Sequence, residues 1–127
     1  MKLFAPASRL VLATMLACSI NAHAADTWST TDKVLAGAFL SSLTADYLQT
    51  RQIAREPDRW YEQGNPLLGD QPSASRVNII FLTSAVVTLG VAHILPSKWR
   101  KVLLVSGTVI EAGFAAHNAR IGLKVGF

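Results

Sequence analysis

The sequence predicts an all-α protein: a signal peptide followed by a three-helix transmembrane bundle, with an interfacial helix in the first loop. Three observations predict it. The N-terminus has the layout of an export signal. Three further apolar stretches follow, each bracketed by basic residues. Half of the 127 residues are hydrophobic and 16% are charged, which is too apolar for a disordered chain and high for a small soluble one.

Lys2 and Arg9 form a positive n-region, Leu10 to Ile20 an apolar core, and Ala22-His23-Ala24 a small-x-small cleavage site. The expected signal peptide is 1–24 and the mature membrane domain 25–127; an uncleaved signal anchor is the alternative. Met15-Leu16-Ala17 before Cys18 makes a poor lipobox. With Cys18 removed, the mature chain has no cysteine, which excludes disulfides, thiolate catalysis and cysteine-based zinc sites. Removing Lys2 and Arg9 also lowers the bases from 12 to 10 against 8 acids. No basic stripe with interleaved aromatic residues remains, so nucleic acid is not an expected partner.

The apolar stretches give spans of about 34–50, 77–97 and 102–119. A soluble bundle would need polar faces at helical spacing, and Asn78 to Leu95 has almost none. Trp28, Trp60 and Trp99 lie outside the spans beside charged residues, where amphipathic rings settle at a bilayer interface. Small residues recur in the first span (Ala36, Gly37, Ala38, Ser41, Ser42) and the third (Gly107, Ala112, Gly113, Ala115, Ala116), allowing close approach of helix backbones. The signal places the mature N-terminus outside and the first loop and C-terminal tail inside a bacterial inner membrane. Six bases then lie inside and four outside, three of them in the loop "PSKWRK".

Intramembrane ionisable groups are costly and face other helices, water or a partner. Asp46 and Thr50 are four residues apart on one face near the inner end of the first helix. His117 and Asn118 reach the same level on the third. Glu111 shares the Asn118 face at a depth about 10 Å greater. In the first loop, Pro57 opens an expected interfacial helix through Glu62, Gly64 ends it, and Asn65-Pro66 turns the chain back.

Asp46-x-x-x-Thr50, followed by Glu62 and then Asn65-Pro66-Leu67-Leu68, resembles a group of small multi-helix bacterial membrane proteins of unknown function. They share an Asp-x-x-x-Thr, Glu and Asn-Pro-Leu pattern. The resemblance spans about half the mature chain, with Glu62 farther from Asn65 than in that pattern. It implies a helical membrane protein and no particular activity.

Asp46, Thr50, Glu62, Asn65, Glu111, His117 and Asn118 are therefore the candidate ligand- or partner-binding residues. One reading makes them interhelical glue, with Arg51 or Arg120 paired to Asp46 or Glu62. A second makes Glu111 a desolvated acid in a binding or transport site, which requires an oligomer or partner because three helices enclose no pathway. A third is an accessory subunit docked through small-residue faces. A membrane-embedded metal hydrolase recruiting Asp46, Glu62, Glu111 and His117 is a further alternative, but no zinc-ligand spacing, nucleophile elbow or phosphate loop is present, so no catalytic residue, metal or cofactor is assigned. Membrane lipid and a homo-oligomer or membrane-protein partner are the expected contacts.

Overall fold

The computed structural model describes residues 26–62 and 64–126. The signal segment lies outside the described residues. Within them the chain forms three helices and no strand: α1 (Thr30–Arg55), α2 (Ala74–Ile94) and α3 (Ser97–Arg120). α1 starts at a reciprocal capping box, in which the Asp32 N–H donates to Ser29 Oγ (3.1 Å) and the Ser29 N–H to Asp32 Oδ2 (2.9 Å). α2 starts where Ser73 Oγ accepts from the Arg76 N–H (3.2 Å). Pro96 stops α2 and its preset φ opens α3.

The helix bounds correct the expected spans. α1 runs past the apolar stretch at both ends, and α2 and α3 are separated only by Leu95 and Pro96. "PSKWRK" is consequently no loop: Ser97 to Lys101 form the first turn of α3. The expected interfacial helix is also absent among the described residues. Glu56 accepts from the Arg59 and Trp60 N–H groups (3.0 Å each), making one turn at Pro57–Arg59. The chain then extends so that the Glu62 N–H reaches the Asp70 carbonyl (2.8 Å).

The helices pack on Phe39, Leu43, Val77, Phe81, Ala92 and Leu104, and the first loop adds Leu68, only 1% exposed. Gly107 lets α3 close on α1, since a Cβ there would lie 3.0 Å from the Phe39 ring. α2 and α3 are long and apolar enough to cross a membrane. Their apolar side chains mostly point outward: Ile79, Leu82, Val86 and Val87 on α2, and Val102, Val105, Val109 and Ile110 on α3, are exposed. So large an apolar exterior supports a membrane protein in general.

At the end of the bundle where α2 turns into α3, Arg100 is fully buried and ties four segments together. Its Nη1 donates to Asp32 Oδ2 (3.1 Å), Nη2 to the carbonyls of Asp26 (2.8 Å) and Leu95 (3.1 Å), and Nε to the Ala92 carbonyl (2.9 Å). The guanidinium also stands 5.0 Å from the Trp28 ring centroid, within cation–π range. Asp26 Oδ2 completes the set by accepting from the Ser97 N–H (2.9 Å), where Pro96 gives α3 no side-chain cap.

The Ser29 backbone N–H first, and the Ser29 hydroxyl and Arg100 guanidinium after it, hold the Asp32 carboxyl below its ordinary value of 3.8, against the opposing effect of burial. A carboxyl depressed on folding stabilises the fold above its unfolded pKa, and that contribution is lost as pH falls through the lower folded value. Asp32→Asn is expected to lower the unfolding midpoint near neutral pH by more than loss of the exposed Arg59–Glu56 pair does. It is also expected to flatten the decline in stability below pH 3.8. Denaturation midpoints of both proteins across that interval check it; parallel curves would show that the Asp32 charge contributes nothing.

Candidate polar cavity inside the helix bundle

Toward the opposite end, Asn118 on α3 donates from Nδ2 to Asp46 Oδ1 on α1 at 2.7 Å. Asp46 is 7% exposed and Asn118 9%, so the bond is shielded from solvent. Neither partner is a base, and the only ion pairs among the described residues are Arg59–Glu56 and Arg100–Asp32. The expected pairing of Arg51 or Arg120 with Asp46 or Glu62 is thus replaced by an amide–carboxylate bond. An arginine on α1 close enough to Asp46 would have to turn into the bundle; Arg51 instead donates from Nη1 to Tyr47 Oη and Asn78 Oδ1 (3.0 Å each) on the α2 side.

The first loop folds over this bond. Glu62 Oε1 accepts from the Gly64 and Asn65 N–H groups (2.9 and 3.2 Å), and Asn65 Oδ1 accepts from the Leu67 N–H (3.0 Å), an Asx turn. The Leu68 N–H donates to the Asn65 carbonyl (3.0 Å), which drives Leu68 into the core. Gly69 sits at φ 74°, a left-handed conformation that favours glycine. Arg76 Nε, from the first turn of α2, closes the loop on the Leu67 carbonyl (2.9 Å).

Beneath the loop lies a cavity of about 40 Å³, lined by the polar groups of Asp46, Glu62, Asn65, Ser84, Glu111 and Asn118 and by Leu43, Leu68, Ile80, Phe81 and Phe114. It is large enough for water-sized occupants and polar enough to hold them. Three carboxylates reach it, one from each of α1, the loop and α3, and no base lines it. Among the described residues no three His, Cys, Asp or Glu side chains are grouped to hold a metal ion. The lining contains no nucleophile paired with a base.

Five of the seven expected site residues therefore line one cavity: Asp46, Glu62, Asn65, Glu111 and Asn118. Glu111 and Asn118 meet there because seven residues is two helical turns. Thr50 is buried one turn beyond Asp46 and His117 is exposed; neither forms part of the cavity wall. His117 is next to Asn118 in sequence, so helical geometry turns it aside, into an open groove of about 610 Å³ between the loop and α3. Groove and cavity share Glu62, Phe114 and Asn118. The Phe114 ring stands against Gly64, where a Cβ would come within 2.8 Å of Cε1.

Sequence reading missed two participants. Ser84 carries no pattern beyond its place in an apolar helix. Gln49, 2% exposed, donates from Nε2 to the Ala115 carbonyl (3.1 Å) and adds a second polar tie between α1 and α3; its position three residues after Asp46, on the same helix face, was the available signal.

Asn118→Leu should weaken the bundle by about 1–2 kcal/mol, the upper part of the range for one interhelical hydrogen bond. Leu68→Ala should cost about 2–3 kcal/mol by leaving a void under the loop. Reversible unfolding in mixed micelles measures both, and a neutral Leu68→Ala would mean that the loop does not pack on the helices. No protein-family model, curated protein or solved structure matches this chain.

Proposed function

We propose that this chain is a multi-pass protein of the bacterial inner membrane that works by binding within the bilayer, at the cavity between Asp46, Glu62, Glu111 and Asn118. The occupant is a proton shared among the carboxyl groups, with water beside it. A single observation carries the reading: three carboxylates from three segments converge, without any base, on a cavity of about 40 Å³. Acidic groups at membrane depth are costly to keep unless they do something. The small volume leaves room for water and none for a metabolite. The resemblance to small membrane proteins with an Asp-x-x-x-Thr, Glu and Asn-Pro-Leu pattern agrees with this, since its acids and Asn65 all belong to the site.

The arrangement has the first loop and the C-terminal tail inside. The burial of Arg100 favours this orientation, because its charge is spent within the protein. Lys33, Lys98 and Lys101 then remain outside against Arg51, Arg55, Arg59, Arg76, Arg120 and Lys124 inside, a wider margin than the sequence alone suggests. In this orientation α1 is the third span, shorter in apolar length than α2 and packed on one side against α2 and α3.

Self-assembly is a second reading, favoured by where the small residues lie. A Cβ added at Gly37 or Gly113 would meet nothing within 4 Å, and Ser41, Ala112 and Ala116 are exposed as well. These small-residue faces of α1 and α3 point away from the bundle, where another helix can approach closely.

A hydrophobic carbodiimide, which modifies protonated carboxyls in a low-dielectric setting, tests the binding reading in membranes. Labelling is expected at Asp46 or Glu111, with protection by alkaline pH. Asp46→Asn with Glu111→Gln should abolish labelling and leave the assembled mass unchanged. Absence of labelling in the intact protein, or altered assembly in the double variant, would instead make the polar cluster interhelical glue.

A further inference from the structure

Next to the carboxylate cavity, from which Leu43 and Phe81 separate it, an open apolar groove of about 350 Å³ runs between α1 and α2. Leu40, Leu43 and Thr44 form one wall and Phe81, Leu82 and Ala85 the other. The groove is polar at one end only, where Tyr47 Oη donates to Asn78 Oδ1 at 2.9 Å. Arg51 caps that end: its Nη1 donates to both Tyr47 Oη and Asn78 Oδ1, and its carbon Cζ stands 5.8 Å from the Tyr47 ring centroid. These contacts fix the guanidinium and leave it charged and unmatched. No carboxylate among the described residues pairs with it, and its Nε is buried without an acceptor.

Arg51 stands at the polar end of the apolar groove, on Tyr47 and Asn78, with no carboxylate partner among the described residues, at the helix end assigned above to the cytoplasmic face. We infer that the groove binds one anionic phospholipid of the inner leaflet, an acyl chain lying along Leu40, Leu43, Phe81 and Leu82 and the phosphate accepting from Arg51. The inference rests on the membrane reading above and does not use the carboxylates of the cavity, although the groove shares Leu43 and Phe81 with it. Charge complementarity selects the occupant: guanidinium matches phosphate geometry, and basic pockets between helices at the cytoplasmic face are suited to anionic head groups. The tilted contact of the Tyr47 and Phe81 rings, with centroids 5.6 Å apart, gives the groove a rigid aromatic floor.

The test uses the full chain reconstituted in nanodiscs containing equal parts phosphatidylglycerol and phosphatidylcholine, with retained lipid read by native mass spectrometry. The intact protein is expected to retain phosphatidylglycerol in preference. Arg51→Gln should reduce retained phosphatidylglycerol about fivefold, the loss of one juxtamembrane basic contact. Thr44→Trp, at an exposed position, fills the groove with Arg51 intact and should reduce it similarly, so the inference stays testable if the Arg51 variant fails to fold. Equal retention of the two lipids by the intact protein, or undiminished phosphatidylglycerol in Thr44→Trp, overturns it. Failure of the chain to enter the membrane fraction would overturn the membrane reading as well, whereas an inserted chain without lipid preference overturns this inference alone.

Discussion

One guanidinium organises the end of the bundle at which all three helices meet. Arg100 bonds to the first turn of α1 through Asp32, to the last turn of α2 through Ala92 and Leu95, and to the segment before α1 through Asp26. A buried charge is tolerable only when its donors are met with good geometry, and here Nε, Nη1 and Nη2 each have an acceptor. Because these acceptors come from different segments, satisfying Arg100 also fixes how those segments sit relative to one another. The carboxylate cavity, near the other end, inherits its alignment of α1 with α3 from this constraint.

The two ends solve the problem of internal polarity differently. At the Arg100 end, a guanidinium meets a carboxylate and backbone carbonyls. At the Asp46 end, a carboxylate meets an amide, two further carboxylates gather around it, and a cavity remains. The first arrangement is suited to holding helices together and the second to admitting an occupant. The outer surface of α2 and α3, with its exposed valines, leucines and isoleucines, adds little specificity of its own.

Helix content, and the shared face of Glu111 and Asn118, were legible because both depend on local rules; that the loop brings Glu62 and Asn65 over Asp46 is a tertiary outcome. Apolar runs between basic residues mark helices, and spacings of four and seven mark shared faces. What was not legible depends on tertiary choice. Nothing local tells Arg100 from Lys98 or Lys101 as the base that turns inward. Arg51 lies five residues beyond Asp46, off its face of α1, and bonds to Tyr47 and Asn78 on the α2 side. The turn at Pro57 carried the composition of a helix start, but pairing of Glu62 with Asp70 across the loop required extended chain there. His117 was misplaced by one residue of helical rotation.

The ion pair at the closed end joins residues 68 positions apart. During synthesis α1 is complete long before Arg100 exists, so Asp32 has only its Ser29 cap until the α2–α3 turn has been made. These contacts therefore tie some of the first residues of the described chain to one made 68 positions later. Closure at this end records that every preceding helix has arrived, which makes Arg100 a checkpoint on the order of assembly as well as a brace in the finished protein.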